Sequence, residues 1–228
     1  MLNGGLLYYA PHGTANPGVN STYAAGIDGV PMRCFHKCFA GVDAAVAHRY
    51  GQSPDTPPMN ECSGWLLAKA LGWPYNLLVP SCVLRELNGE RGSLCMGIEG
   101  KPGDPAPLAG GHPQGLAAAF FDSLIAQQDR HAGNYRWEVA ISRLHLIDQG
   151  YAFARPGDYC NSSVFVDMRW RSGQAALTAE ERISLDALIA SANLFDLAAI
   201  LEAPRADCLA VRAQEMLRRG EILQVGEF

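Results

Sequence analysis

Two short polar clusters, each at the end of an apolar stretch, constrain this chain more than any other feature. Residues 128–134 read QDRHAGN, and residues 146–150 read LIDQG. The apolar pattern over residues 115–127 predicts a buried helix, and residues 135–141 and 144–147 predict two short strands. A fold that packs these elements together can collect both polar clusters into one site.

The residue types in the two clusters are those that phosphoryl transfer needs. Transfer of a γ-phosphoryl group requires a carboxylate that orients the acceptor and oxygen ligands for Mg²⁺. Asp129, followed five positions later by Asn134, and Asp148 beside Gly150 supply this set at the spacing found in protein kinases. Asp, Asn and Gly are also common turn residues, so the spacing alone can arise by chance. Their position at the ends of apolar elements favours the functional interpretation.

The two clusters resemble the D-R-H-x-x-N and I-D-x-G motifs of the phosphatidylinositol 3- and 4-kinase-like superfamily. HipA-type bacterial serine/threonine kinases carry the similar form D-x-H-x-x-N. The resemblance implies that Asp129 is the catalytic Asp, that Asn134 and Asp148 are metal ligands, and that His131 supports the catalytic loop. It implies ATP and Mg²⁺ as cofactors. The match covers residues 120–153, is looser upstream, and includes no motif after residue 157.

The expected architecture is a two-lobed, protein-kinase-like α+β fold. With 228 residues, of which 48% are apolar and 18% charged, the chain can bury a full core. Residues 1–100 are predicted to form a strand-rich N-terminal lobe, and residues 101–228 a mainly helical C-terminal lobe. The ATP–Mg²⁺ cleft is expected between them.

In the N-terminal lobe, a strand over residues 6–10 precedes a turn-rich loop over residues 11–20. This loop stands where a kinase covers the phosphates, although it has neither a G-x-G-x-x-G nor a Walker A sequence, and an ordinary hairpin loop fits equally well. A strand is predicted over residues 30–39, and it carries Lys37, which we expect to bind the α and β phosphates. The alternative is a Lys whose stem covers the sheet while its ammonium group stays in water.

A helix is predicted over residues 59–71, with Glu61 on its inward stripe. A buried carboxylate needs a cation, and Lys37 is the expected partner, although the helix dipole alone also favours an acid in a first turn. Strands over residues 79–87 and 93–98 are predicted to form a hairpin. Residues 96–100, including Glu99, are expected to offer backbone groups to adenine, with residues 101–115 as either the connection between lobes or a plain linker.

After the second cluster, residues 151–174 are predicted to be irregular, where kinases keep their activation and substrate-binding segment. Thr178 begins a capping box, and helices are predicted over residues 179–192, 194–202 and 205–219.

Charge and composition argue against several other classes of protein. A net charge of −5 argues against a basic nucleic-acid surface, and a small patch around Arg169, Arg171 and Arg182 reads better as solvated surface. No apolar run suits a membrane span, and the first residues lack signal-peptide features, so a cytoplasmic location is expected. The seven scattered cysteines, without a C-x-x-C pair, suggest reduced thiols rather than a metal site.

Transfer to a Ser or Thr hydroxyl of a protein substrate is therefore the first functional hypothesis, and the choice of a protein acceptor rests on the resemblance to HipA-type kinases. A small-molecule or phosphoinositide kinase is the first alternative. A nucleotide-binding regulator that acts through a protein partner is the second, because the phosphate loop is unusual and Gln149 occupies the metal motif.

Overall fold

A computed structural model describes residues 2–12, 20–191, 201 and 203–227. The first part contains a five-stranded antiparallel sheet in the order β1-β2-β3-β5-β4. Its strands are β1 Leu6–His12, β2 Thr22–Ile27, β3 Cys34–Cys38, β4 Cys82–Leu87 and β5 Glu90–Met96. This sheet has its own small apolar core, built around Ile27 and Leu94.

Three helices accompany this sheet: α1 Ala44–Arg49, α2 Thr56–Leu71 and α3 Tyr75–Leu78. The predicted second helix exists, but it begins at Thr56 rather than Met59. Two prolines occupy its first turn, where the missing N–H groups cost nothing, so the expected Pro-rich loop is partly helix. The helix packs against β4 and β5, and β5 pairs with β3, the strand that contains Lys37.

The hairpin between β4 and β5 turns more tightly than the sequence suggests. Only Asn88 and Gly89 connect the strands, and their φ values are 53° and 79°. Positive φ at both central residues matches the right-handed twist of the strands, and Asn-Gly is the preferred pair for it.

The second part is mainly helical around a small three-stranded sheet. The strands are β6 Lys101–Pro102, β7 Tyr135–Glu138 and β8 Arg143–Leu146. The helices are α4 Pro113–Leu124, α5 Val164–Arg171, α6 Ala179–Ala190 and α7 Ala203–Arg219. They enclose the larger core, which includes Phe120, Phe121, Phe165 and Leu185. The predicted mixed α+β organisation is confirmed, while the lobe boundary between residues 100 and 101 stays a prediction.

Five of the strands and helices given above were not predicted: β2, β6, α1, α3 and α5. Strand β2 is rich in small residues, and α1 is short, so neither has a strong periodic pattern. The prediction that residues 151–174 are irregular is wrong for α5, which begins after the capping side chain of Ser163 and packs against α4. Its sequence, VFVDMRWR, starts with β-branched and aromatic residues, and tertiary packing overrides that local preference.

Some predictions fall outside the described residues. Most of the turn-rich loop, residues 13–19, and most of the predicted helix over residues 194–202 lie there. Among the described residues, no helix combines the length and the apolar character needed to cross a membrane.

The cysteines of β3 lie inside the first part of the molecule. Cys34, His36 and Cys38 are buried on one face of the strand, and all seven cysteines are free thiols. His36 bonds the Tyr9 hydroxyl through Nδ1 at 2.9 Å. Within the described ranges, no cluster of three or more His, Cys, Asp or Glu side chains is arranged to hold a metal ion.

The supposed basic surface patch is wrong for Arg169. Its guanidinium is buried and binds both carboxylate oxygens of Glu181, at 2.5 and 2.8 Å. It also donates to the carbonyl oxygens of Leu116, Gln174 and Ala176. Glu181 completes the capping box with Thr178, so one carboxylate both starts α6 and neutralises a buried cation.

Replacing Glu181 with Ala should therefore destabilise the fold strongly. The substitution leaves Arg169 buried without its counter-charge and removes half of the capping box, so we expect a loss of about 3 to 5 kcal/mol in the free energy of unfolding. Urea denaturation measures this loss. The matched control is Glu180→Ala in the same helical turn, where the exposed side chain should contribute less than about 0.5 kcal/mol. Equal effects of the two substitutions would contradict the structural role of the ion pair.

Candidate active site

A cavity of about 300 Å³ lies between the five-stranded sheet and the β7–β8 hairpin. Its size is at the lower end of the range for small-molecule sites. One end is apolar, and the other end carries charged groups. The lining residues are His12, Thr22, Phe35, Lys37, Glu61, Val79, Pro80, Cys82, Cys95, Met96, Gly97, Ile98, Arg136, Leu146, Ile147, Asp148 and Gln149.

Lys37 occupies the charged end and contacts two carboxylates. Its Nζ forms an ion pair with Glu61 Oε1 and lies 2.8 Å from Asp148 Oδ1. The side chain of Glu61 is only 4% exposed, whereas that of Asp148 is 42% exposed. The other oxygen of Glu61 accepts the backbone N–H of Gln149 at 2.9 Å. The ion pair predicted between Lys37 and Glu61 is thus present, and Asp148 joins it from the other lobe.

The pKa values of these groups follow from burial and mutual attraction. Burial alone would lower the pKa of Lys37, but the charges of Asp148 and Glu61 outweigh it and raise that pKa well above its ordinary value. Burial raises the pKa of Glu61, although Lys37 acts against this. Partial burial would raise the pKa of Asp148, but the charge and hydrogen bond of Lys37 outweigh this effect and keep that pKa below its usual range. Lys37 therefore favours the charged form of both acids.

Arg130 connects the two polar clusters through hydrogen bonds. Its guanidinium is fully buried, pairs with Asp122 at 3.0 Å, and donates to the backbone oxygens of Asn134, at 2.5 Å, and Ile147. The N–H of Ile147 returns a bond to the Asn134 oxygen at 3.1 Å. Asp148 follows directly, with a left-handed φ of 61° that a non-glycine residue adopts only when its surroundings enforce it.

Gln149 has a structural position in the second motif. It is buried, and its Oε1 accepts bonds from Arg130 at 2.7 Å and from Gln127 at 3.0 Å. Its Nε2 donates to the backbone oxygen of Leu146 at 3.1 Å. With its N–H on Glu61, this residue connects both lobes through ordinary hydrogen bonds, so the unusual residue in the motif is compatible with an intact site.

Asn134 and Asp148 offer oxygen atoms suited to a magnesium ion. The Nδ2 of Asn134 donates to the backbone oxygen of Asp129 at 2.8 Å, and this bond orients the amide with its Oδ1 available. Asp148 keeps a second carboxylate oxygen beside the one that binds Lys37. Mg²⁺ prefers carboxylate and carbonyl oxygens and retains several waters, so this donor set fits it.

Asp129 is held in a fixed orientation by residues outside the motifs. Its Oδ1 accepts the hydroxyl of Tyr50 at 3.1 Å and the Nδ2 of Asn161 at 3.4 Å. The carboxylate is 24% exposed, and its Oδ2 lies 3.9 Å from Nε2 of His131. These contacts occupy one oxygen and leave Oδ2 directed toward His131 and solvent.

His131 caps the short 3₁₀ turn Ala132–Asn134, because its Nδ1 accepts the N–H of Gly133 at 2.9 Å. The ring is 59% exposed. This position is compatible with the expected support of the loop, and the catalytic role of His131 stays a prediction. Glu99 is exposed and lies just beyond the cavity, which Met96, Gly97 and Ile98 line.

Sequence reasoning missed several residues at the site. Tyr50 directly follows α1, stacks on Tyr151 with ring centroids 4.4 Å apart and donates to Asp129, but its distance in sequence gives no signal of this contact. Arg136 lines the cavity two positions after Asn134 and donates to the Gly133 and Tyr135 carbonyls. The alternation of β7 could have placed Arg136 on the face of the hairpin opposite Tyr135 and Trp137, which are buried.

Replacing Lys37 with Met should destabilise the protein in a pH-dependent way. Glu61 then lies buried without a cation, and we expect a loss of about 3 to 5 kcal/mol near pH 7.5. The folded pKa of Glu61 is already raised, so the folded state holds this proton more tightly than the unfolded chain. The loss should therefore grow as pH rises above the ordinary Glu pKa and be smaller near pH 5.

Urea denaturation of parent and variant at the two pH values measures this difference. Lys69→Met, the same substitution at an exposed position of α2, is the control and should change stability little at either pH. A loss at Lys37→Met that is identical at both pH values would show that the buried Glu61 charge is not its cause.

No protein-family model matches this chain, and no curated protein sequence matches it. Among solved structures, the crystal structure of a Helicobacter pylori proinflammatory kinase, CtkA, is similar to it, with a TM-score of 0.51 and 12% sequence identity. The similarity covers 92% of this chain and 90% of that one. At this low sequence identity, the similarity shows the fold alone. The chain therefore has a kinase-like two-lobed α+β fold, as its sequence predicts.

Proposed function

We propose that this protein is an ATP- and Mg²⁺-dependent phosphotransferase that acts on a Ser or Thr hydroxyl of a protein substrate. One observation carries the proposal: Lys37, Glu61 and Asp148 meet at the charged end of a cavity, and Asp129 lies in the loop bound to the same motif. The similar fold of a protein described as a kinase supports it.

The lining of the cavity supports one orientation of the nucleotide. Its apolar end, formed by Phe35, Val79, Met96 and Leu146, suits a purine base, and the segment around Gly97 offers backbone groups beside it. The phosphates then extend toward Lys37, whose raised pKa keeps it charged. A bound Mg²⁺ neutralises charge on the phosphates, and Asn134 and Asp148 are the residues that would hold it.

Asp129 is the residue suited to the acceptor. In the reaction the acceptor oxygen forms a bond to the γ-phosphorus, the bond from that phosphorus to its bridging oxygen breaks, and ADP leaves with the electron pair. The acceptor proton passes to a carboxylate within hydrogen-bond reach. Oδ2 of Asp129 can take this proton, because Tyr50 and Asn161 occupy Oδ1.

Removing Asp129 should separate chemistry from nucleotide binding. With ATP labelled on the γ-phosphate, Mg²⁺ and a cell lysate as acceptor, Asp129→Ala should lower transfer by at least about 100-fold, while ATP binding persists. Asp148→Asn should abolish the Mg²⁺-dependent activity. The control Asp186→Ala, at an exposed position of α6, should retain the parent's rate.

Each other result points to a different function. Saturable ATP binding without transfer by the parent would favour the regulator hypothesis. Transfer confined to amino-alcohols or phosphoinositides would favour a small-molecule or lipid kinase. Absence of both binding and transfer, or an Asp148→Asn variant as active as the parent, would refute the site.

Tyr50→Phe should lower kcat about tenfold, because it removes one of the two hydrogen bonds that orient the Asp129 carboxylate. The KM for ATP should stay unchanged, since Tyr50 does not line the cavity. Steady-state kinetics measure both constants, and the exposed Tyr8→Phe is the control. An equal change in kcat and in the KM for ATP would indicate a general structural effect instead.

A further inference from the structure

The segment that follows the second motif forms a polar chain beside Asp129. Tyr159 donates its hydroxyl to Asn161 Oδ1 at 2.8 Å, and Asn161 donates to Asp129 at 3.4 Å. On the other side, Arg49 Nη2 donates to the Tyr159 hydroxyl at 3.1 Å. Three hydrogen bonds therefore connect Arg49, at the end of α1, to the Asp129 carboxylate.

Arg49 is exposed but held in place. Its guanidinium carbon lies 4.7 Å above the centroid of the Tyr159 ring, so a cation–π contact and a hydrogen bond fix the same group. Only one of its five N–H donors is used by this bond, and a planar guanidinium can bind a carboxylate or phosphate with two parallel bonds. Holding the cation in advance lowers the entropy lost when an anion binds.

Arg49 has no ion-pair partner among the described residues: no carboxylate within these ranges lies at salt-bridge distance. A cation at the last turn of a helix is favoured by the helix dipole, and His48 shares that turn. The dipole explains a positive residue at this end of α1. It does not explain why that residue is held on both the ring and the hydroxyl of Tyr159.

An acceptor segment must pass close to this cation. The acceptor hydroxyl has to come within hydrogen-bond reach of Asp129 Oδ2, and Tyr159 and Asn161 border the same carboxylate. The connected side chains place Arg49 within the span of about five extended residues of that hydroxyl. A side chain flanking the acceptor residue can therefore reach the guanidinium.

We infer that Arg49, fixed on Tyr159, is a recognition site for an anionic side chain that flanks the acceptor Ser or Thr in the protein substrate. The inference rests on the proposed phosphotransferase function. Asp, Glu or a phosphorylated residue supplies the required chemistry. The chain as a whole carries a net charge of −5, which by itself would favour basic substrates, so a preference for acidic ones requires a local cation.

A peptide library tests this site. The peptides contain one Ser or Thr, with Glu, phosphoserine, Ala or Lys placed in turn at each of the neighbouring positions. For the parent, kcat/KM should be about fivefold higher with Glu than with Ala at one or two positions. A phosphoserine arm that exceeds the Glu arm would identify a previously phosphorylated substrate as the preferred source of the anion.

Variants at the cation should change only this preference. Arg49→Ala should remove the advantage of acidic peptides by raising their KM, so that the ratio of kcat/KM for Glu and Ala peptides falls to about one, with the KM for ATP unchanged. Arg49→Glu should invert the preference toward Lys. Arg171→Glu makes the same charge change at an 83% exposed position of α5 and should leave the parent's preference intact.

The result separates this inference from the proposed function. If Asp129-dependent transfer occurs but acidic, neutral and basic peptides react equally, the inference is wrong and the phosphotransferase proposal stands. The same holds if no peptide reacts while Arg49→Glu leaves Asp129-dependent labelling of lysate proteins unchanged. If no acceptor is labelled in an Asp129-dependent way, the proposed function fails, and the inference fails with it.

Discussion

The buried ion pair between Arg130 and Asp122 is the interaction on which the site depends. Arg130 is a fully buried cation, and the Asp122 carboxylate, on α4, also accepts the hydroxyl of Ser163 at the start of α5. The guanidinium also donates hydrogen bonds to oxygen atoms of both polar clusters. Because a buried charge without partners is very costly, these segments have one arrangement that satisfies Arg130, and that arrangement sets the position of Asn134 and of the backbone before Asp148.

The contacts between lobes are built from a second buried charge. Glu61 comes from α2 and accepts the N–H of Gln149 as well as the ammonium group of Lys37. Its position thus couples the sheet, the helix and the second motif. Tyr50, directly after α1, makes a further connection by donating to Asp129. Side chains from the N-terminal part therefore orient both the second motif and the Asp129 carboxylate.

The sequence predicted the parts of the site whose residues are close together or strongly periodic. The helix before the first motif and the capping box of Thr178 follow from local patterns, and they are present. The pairing of Lys37 with Glu61 was expected because a buried carboxylate needs a cation and because kinases pair a Lys with a Glu in this way. Helix α5 was missed because its residues favour a strand locally, and Arg169 was misplaced because its buried partner lies twelve positions away.

The sequence by itself determined the chemistry that is available: an Asp and Asn at a fixed spacing, a second Asp, and apolar elements that end at each of them. The identity of the residues that orient this chemistry was decided only by the tertiary structure. Tyr50 lies 79 positions before Asp129, and Asn161 lies 32 positions after it. Contacts of this kind depend on how the lobes pack around buried charges, and neither periodicity nor spacing encodes that packing.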